Sequence, residues 1–289
     1  MPLNTTGLPT PGHYVLGRGI LLIGAIDAAT GKALDWRDVG NCPTFSYTVE
    51  TEELEHQSSR GGLKVTDKKV TLSQTTSLNF TLDEISLQNL ALFLSGTVAT
   101  HTNPAKTGVT NYEWIVGNEA STTNLKKGVW YDLVSSTGER LYDILPGNLT
   151  LATTAGSPVT LVLGTDYELD TVQGRVFMKS TSTVLTTAIA AFQGITMTYT
   201  ASAGSKNLDE VRGLTTSNIA YAIKFIGKNP ANNNAETEWQ FHQVTLSPEG
   251  DLSLIGDDWS TIGFTGAAET NALADADAPI LRIRELQAS

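Results

Sequence analysis

Four histidines, His13, His56, His101 and His242, are the side chains best suited to ligate a metal or move a proton near neutral pH. They are widely spaced, and none forms the His-x-x-x-His pair that aims two imidazoles at one ion. They read as structural or surface residues. The single cysteine, Cys42, precedes Pro43 at the start of a strand-like stretch. No local feature lowers its pKa, so it reads as a packed thiol rather than a nucleophile. Asp257-Asp258 and Glu52-Glu53 are adjacent carboxylates, and neighbours in a strand point to opposite faces, which makes poor acid–base pairs. Asp27, Asp166 and Asp170 sit in turns, where Asp serves the backbone. Asp275-x-Asp277 is a weak calcium signal. Gly17-Arg18-Gly19 is no nucleotide loop, because Leu22 stands where a third glycine belongs and no helix follows. Neither a Gly-x-Ser-x-Gly elbow nor a phosphate loop is present. Trp36, Trp114, Trp130, Trp239 and Trp259 suit a sugar platform or, more often, anchors in a core or an interface. The expectation is a protein with no catalytic residue, no metal site and no cofactor.

Composition narrows the classes further. The chain has 289 residues and a formal net charge of −11, from 19 basic and 30 acidic side chains. Tight nucleic-acid binding needs a basic surface and is disfavoured. Residues 230–279 contain no Lys or Arg, yet hold Glu236, Glu238, Glu249, Asp251, Asp257, Asp258, Glu269, Asp275 and Asp277. One cysteine excludes an intrachain disulfide. The polar start, Met1 to Pro11, lacks the basic and apolar regions of an export signal. The longest apolar run, Ile20 to Ile26, is too short to span a bilayer, so no membrane insertion is expected.

The stretch from Asn41 to Gly96 must position whatever this chain presents. Phe45, Tyr47 and Val49 alternate with Thr44, Ser46, Thr48, Glu50 and Glu52, the period of a strand with one buried face. A second strand, about Val70 to Leu82, sets Val70, Leu72, Leu78, Phe80 and Leu82 against Thr71, Ser73, Thr75, Ser77, Asn79 and Thr81. This second polar face carries no charge, whereas a solvated face usually mixes in Lys and Glu. It reads either as an ordinary wet sheet face or as an inner wall past which something slides. Between the strands, Leu54 to Lys69 reads as a long projecting loop: Glu55, His56, Gln57, Ser58, Ser59, Arg60, Gly61, Gly62, Leu63, Lys64. It is either a mobile tip or a contact arm for a neighbour. Thr81 followed by Glu84 is a capping-box pattern. Leu87, Leu90, Ala91 and Leu94 then repeat at helical spacing, and Gly96 marks a stop, giving a helix over 84–95.

Elsewhere Met1 to Gly12 reads as a flexible arm and His101 to Lys127 as a polar connection. Gly128 to Thr200 shows recurrent short strands and turns, among them a hairpin across Tyr167 to Met178 with its turn at Thr171 to Gly174. Gly204 to Leu214 reads as a linker. Ile219 to Ile226, Glu238 to Leu246, Leu252 to Ile255 and Ile280 to Leu286 read as strands. The expected organisation is a core from both ends of the chain, 1–127 and 204–289, with 128–203 as an inserted small β domain.

The order strand, Gly-containing loop, polar-lined strand and "FTLDEISLQNLALFLSG" resembles the tail tube (major tail) proteins of long-tailed bacteriophages. "GTDYELDTVQGRVFM" (Gly164 to Met178) and "VTLSPEGDLSLIGDDWSTIGFTG" (Val244 to Gly266) resemble the same family, so the likeness covers most of the chain in scattered pieces. The resemblance implies a mainly β chain: a sandwich- or barrel-like tail tube fold with a flanking short α-helix and a long hairpin loop, plus a small inserted β-sandwich. It implies a virion tail protein, assembled in the host cytoplasm as a ring, generally hexameric, that stacks into a hollow tube. Its partners would be its own copies, the tape-measure protein and tail-end proteins, with DNA in transient passage. Thr44, Ser46, Thr48, Glu50, Glu52, Thr71, Ser73, Thr75, Ser77 and Asn79 would then line the lumen, and the loop Glu55 to Lys64 would touch the next ring or subunit. Uncharged or acidic walls do not hold phosphates. Two other readings compete: an immunoglobulin-like or carbohydrate-binding β-sandwich, and a type VI secretion-like tube, which tends to lack such an insertion.

Overall fold

Side chains that alternate along extended chain dominate the fold. The computed structural model describes residues 14–58, 60–102, 113–115, 125–134, 139–154, 156–190, 195–199, 207–217 and 219–286. The arm Met1 to Gly12, His13, Ser59 and most of the connection 103–124 lie outside them. In order the strands begin with β1 (Arg18–Ala25), β2 (Arg37–Asp38), β3 (Thr44–Ser58) and β4 (Val65–Leu82), followed by helix α1 (Leu87–Phe93). Next come β5 (Thr97–Thr102), β6 (Glu113–Ile115), β7 (Trp130–Asp132), β8 (Leu149–Thr153), β9 (Tyr167–Asp170), β10 (Arg175–Met178) and helix α2 (Thr183–Ala190). The rest are β11 (Ile195–Tyr199), β12 (Asn207–Arg212), β13 (Ala220–Asn229), β14 (Ala235–Glu249), β15 (Ile262–Ala268) and β16 (Leu281–Leu286). The protein is mainly β.

The chain divides into two compact units, one formed by Met1–Ala99 with Val211–Ser289 and the other by Thr100–Glu210. The sequence pattern placed these joints at 127/128 and 203/204. The chain leaves and re-enters the first unit along β5 and β12, which pair with each other. Asn207–Arg212 is therefore strand where a linker was expected: its partner lies about a hundred residues away in sequence, beyond the reach of any local pattern.

In the first unit one antiparallel sheet runs β2-β1-β13-β14-β15-β4-β3, with β16 also paired to β14. Strand β14 serves two partners along one edge: Glu236 to Phe241 pair with β16, and Val244 to Glu249 pair with β15. The register shifts between the Tyr221↔Val244 and Ile223↔Phe241 pairs. An extra residue in one strand reverses its facing, so Phe241 and Val244, three apart, are both buried. The sheet rolls until its far strand returns to its middle. Phe45 of β3 stacks on Phe225 of β13 at 5.2 Å, while Phe80 stacks on Phe264 at 4.9 Å. Buried aromatic and aliphatic side chains of this kind contribute about 1.5–3 kcal/mol each.

Helix α1 closes one side, with Phe93 edge-on to Phe264 at 6.0 Å. Its N-cap is Ser86, whose Oγ accepts from the Asn89 amide at 3.2 Å, rather than Thr81. Thr81 and Leu82 are held in the β4 ladder opposite Gly263 and Ile262, so the helix starts one turn later than the capping-box pattern suggests. Gly96 is not the left-handed residue at the helix end; Ser95 is, at φ 46°. Gly96 is required for space, since a Cβ there would lie 2.2 Å from the Arg212 carbonyl.

The second unit holds two three-stranded sheets, β7-β10-β9 and β6-β11-β8, around Leu133, Leu151, Val176, Met178, Leu185 and Met197. The hairpin across Tyr167 to Met178 is present, with Leu169↔Val176 and Tyr167↔Met178 in register. Gly174 at its turn has φ 58°, and a Cβ there would lie 1.7 Å from the Leu141 carbonyl. Helix α2 occupies a segment expected to hold strands. Its β-branched residues favour extension, but Ser182 caps it, accepting from the Leu185 amide at 3.1 Å, and Leu185 and Ala188 are buried one turn apart.

Candidate assembly surface

Strands β3 and β4 pair from Thr44↔Thr81 to Ser58↔Val65, far beyond the body of the sheet. The long loop expected over Leu54 to Lys69 is thus mostly strand: Glu55, His56, Gln57 and Ser58 belong to β3. Ser59 lies outside the described residues, and Arg60, Gly61, Gly62, Leu63 and Lys64 form the turn. Cross-strand polar pairs carry the ladder outward. Lys69 Nζ lies 2.5 Å from Glu55 and 3.4 Å from Glu53, and His56 Nδ1 lies 2.5 Å from Asp67. The Lys69 ammonium holds the Glu55 carboxyl below its ordinary value, and Glu55 raises Lys69 in turn. The distal ribbon is exposed on both faces, including Val49, Leu54, Val70 and Leu72. A lone two-stranded ribbon is at best marginally stable in water.

Residues directly opposite each other in a ladder share a face. One face of the hairpin therefore carries the rows Thr44–Thr81, Ser46–Asn79, Thr48–Ser77, Glu50–Thr75 and Glu52–Ser73. Nine of the ten residues expected to form one polar face lie together here. Thr71 does not. The register skips Leu72 between Glu52↔Ser73 and Glu53↔Thr71, and this bulge turns Thr71 to the opposite face while bringing Val70 onto the polar one, beside Leu54, which the unbroken alternation of β3 already places there. A second bulge, at Asp67, lies between His56↔Lys68 and Gln57↔Thr66. Thr44 and Thr81 hydroxyls meet at 2.5 Å, and Ser73 Oγ donates to Glu52 at 3.0 Å.

The polar face continues beyond the hairpin. Across β15 and β14 the same rows extend as Thr81–Gly263–Glu249, Asn79–Thr265–Ser247 and Ser77–Ala267–Thr245. Glu269 joins them, accepting from Thr245 Oγ1 at 2.8 Å and from Gln243 at 2.7 Å. In these rows four strands present a wall of hydroxyls, amides and small residues whose charges are Glu50, Glu52, Glu249 and Glu269; farther out on the same hairpin face the His56↔Lys68 pair adds a basic side chain. Gly263 permits the close spacing, because a Cβ there would lie 2.5 Å from the Glu249 carbonyl. The alternation Thr245, Ser247, Glu249 was the available signal.

The other candidate groups are dispersed. His101 bonds the Arg140 carbonyl at 3.1 Å. His242 is buried beside a cavity of about 570 Å³ lined also by Trp36, Gln240, Asp275, Arg282 and Arg284. Burial pushes its imidazole down, against the pull of Asp275, and its Nε2 has no hydrogen-bond partner among the described residues. Asp275 is bound to Arg282 Nε at 2.7 Å. Burial works against its ionisation, but the amides of Ala278 and Asp277 and the Arg282 charge hold it below its ordinary value. Burial pushes the Cys42 thiol up to about 11, and Cys42 donates to the Thr44 carbonyl. Of the tryptophans, Trp36 lies under Lys224, Trp130 packs on Phe177 and Arg175, Trp239 packs on Tyr47, and Trp259 is exposed. Trp114 lies in β6, and they form no common platform among the described side chains. Among the described residues no group of three or more His, Cys, Asp or Glu could hold a metal ion. No described helix is long and apolar enough to cross a membrane. Leu252 to Ile255 forms no strand; it belongs to a loop that exposes Leu254 and Ile255.

Residues 14–280 match the model of a family described as protein of unknown function UCP028589. No curated protein matches the chain.

Proposed function

The chain belongs to this family, and we propose that it is a structural subunit, not an enzyme, that assembles with its own copies into a ring-stacked hollow tube of the phage tail type. The observation that carries the reading is the four-strand polar wall. Its rows from Thr44–Thr81 to Glu52–Ser73 and across β15 and β14 offer a passing polyanion hydroxyls, amides and carboxylates, with Lys68 the ammonium farther out on the hairpin, so phosphates find little there to hold them. The resemblance of the hairpin and helix sequences to tail tube proteins supports the same reading. So does the distal ribbon, whose unpaired edges and exposed apolar side chains call for neighbours. In this reading the wall faces the bore and the turn Arg60 to Lys64 meets the next subunit or ring. The partners are other copies, a tape-measure protein and tail-end proteins, with DNA in transit, and the assembled location is the virion tail.

Negative-stain electron microscopy of the purified chain over a concentration series tests this. Rings or stacked hollow tubes are expected. A monodisperse monomer at every concentration overturns it.

A further inference from the structure

The loop 250–261, between β14 and β15, holds its apolar side chains away from the protein. Leu254, Ile255 and Trp259 are 85%, 95% and 94% exposed. The loop is nonetheless pinned. Leu252 packs against the core, Ser260 Oγ donates to the Ser253 carbonyl at 2.6 Å, and Ser253 Oγ donates to the Ile255 carbonyl at 3.1 Å. Asp251, Asp257 and Asp258 flank the apolar tip. An exposed tryptophan beside two aliphatic side chains on a hydrogen-bonded loop is the kind of anchor that dominates protein interfaces.

The same unit carries a matching receptor. A cleft of about 490 Å³ opens among Phe45, Tyr47, Phe225 and Trp239, with Arg18 and Lys228 also lining it and Glu285 its one acid. Arg18 forms no ion pair among the described residues, and Lys228 pairs with Glu236 only at the exposed surface. Charge selects the occupant. The exposed hairpin turn carries Arg60 and Lys64 and would meet like charge in this cleft, whereas the loop brings carboxylates. Carboxylates also disfavour insertion of the loop into an anionic lipid surface. The cleft does not receive its own loop: Trp239 and Glu249 are ten residues apart on β14, roughly 33 Å of strand, and Trp259 stands in solvent.

We propose that the loop 250–261 of one copy docks Trp259 and Ile255 into the Phe45–Tyr47–Phe225–Trp239 cleft of a second copy, with Asp257 and Asp258 against Arg18 and Lys228. The contact joins two different patches of one chain, so it is head-to-tail and propagates into a closed ring or an open stack. This rests on the reading of the chain as a self-assembling subunit and names the contact through which it assembles.

The test uses two variants of the full chain in sedimentation velocity, with circular dichroism to establish folding. The loop variant is Ile255→Ser with Trp259→Ser; the cleft variant is Arg18→Glu with Lys228→Glu. Each alone loses self-association by about thirtyfold or more in Kd, as for removal of a central anchor. An equimolar mixture recovers association only as one-to-one pairs, because the intact loop of one variant meets the intact cleft of the other and the pair's remaining loop and cleft are both disabled. A loop variant that associates like the wild type overturns the docking contact alone, as does a mixture without recovery. A wild-type chain that stays monomeric overturns the assembly reading itself. Trp259-dependent sedimentation of the wild type with phosphatidylglycerol vesicles overturns the choice of a second copy as occupant.

Discussion

Reversing the charge of the polar wall tests whether it faces a bore. Glu50→Lys with Glu52→Lys replaces two negative charges by two positive ones, a net change of +4 per subunit, on a face whose neighbouring rows carry Glu249 and Glu269. Both sites are exposed on the distal ribbon, and only Glu52 loses a bond, the 3.0 Å one from Ser73 Oγ. Surface changes of this kind usually fall within about 0.5 kcal/mol, so folding should survive. In a hexameric ring each position recurs six times, and the new lysines form two continuous basic bands. Each phosphate they neutralise adds about −0.9 to the slope of log K against log salt. Engagement of 6–10 phosphates then makes retention fall about 10³–10⁵-fold between 50 and 200 mM salt. Assembled tubes would be incubated with short fluorescent duplexes at both salts and treated with nuclease. Wild-type tubes should retain nothing. Variant tubes should retain DNA at low salt, protected from digestion, and release it at high salt. Retained DNA that nuclease destroys would put the wall on the outside, and the reasoning from face chemistry to a bore would fail.

Ser182→Ala removes both the α2 cap and the hydroxyl that donates to the buried Asp166 carboxylate at 2.5 Å; a loss of about 2–4 kcal/mol is expected in denaturant titration. Cys42, with its thiol pushed up to about 11, should be alkylated slowly in the native state until the pH passes about 10, and at an ordinary cysteine rate in denaturant; fast native labelling at pH 8 would refute the burial argument. The buried His242 resists protonation, so the unfolded chain binds a proton near pH 6.5 that the native chain refuses. That stabilisation is present above the unfolded value and lost as pH falls through the lowered native one. His242→Gln should therefore flatten the loss of stability between about pH 7 and 5; an unchanged pH slope would exclude His242 as its source.

Period-two alternation made the hairpin legible, and nine of its polar residues share a face because each strand keeps one phase over that span. It could not reveal the bulge at Leu72. A bulge is a property of two strands together, and neither strand alone carries a mark of the skipped residue that turns Thr71 away. Local apolar patterns likewise marked β13, much of β14, β16 and the Tyr167 to Met178 hairpin. They misled at Leu252 to Ile255, where an apolar run finds no strand partner, and at Thr183–Ala190, where a cap and two buried side chains outweigh β propensity.

The chemistry of this protein was settled by its residue types: a net charge of −11, one cysteine, scattered histidines, and strands that alternate apolar side chains with hydroxyls. Those properties are local or additive, so they can be counted along the chain. Only the tertiary structure decided that β15 and β14 extend the hairpin's polar face, and that Phe45 meets Phe225 across a rolled sheet. It also decided that an acidic apolar loop and a cleft with Arg18 at its edge lie on one unit. Each depends on register between segments far apart in sequence, and register is set by the fit of whole sheets rather than by any stretch read alone.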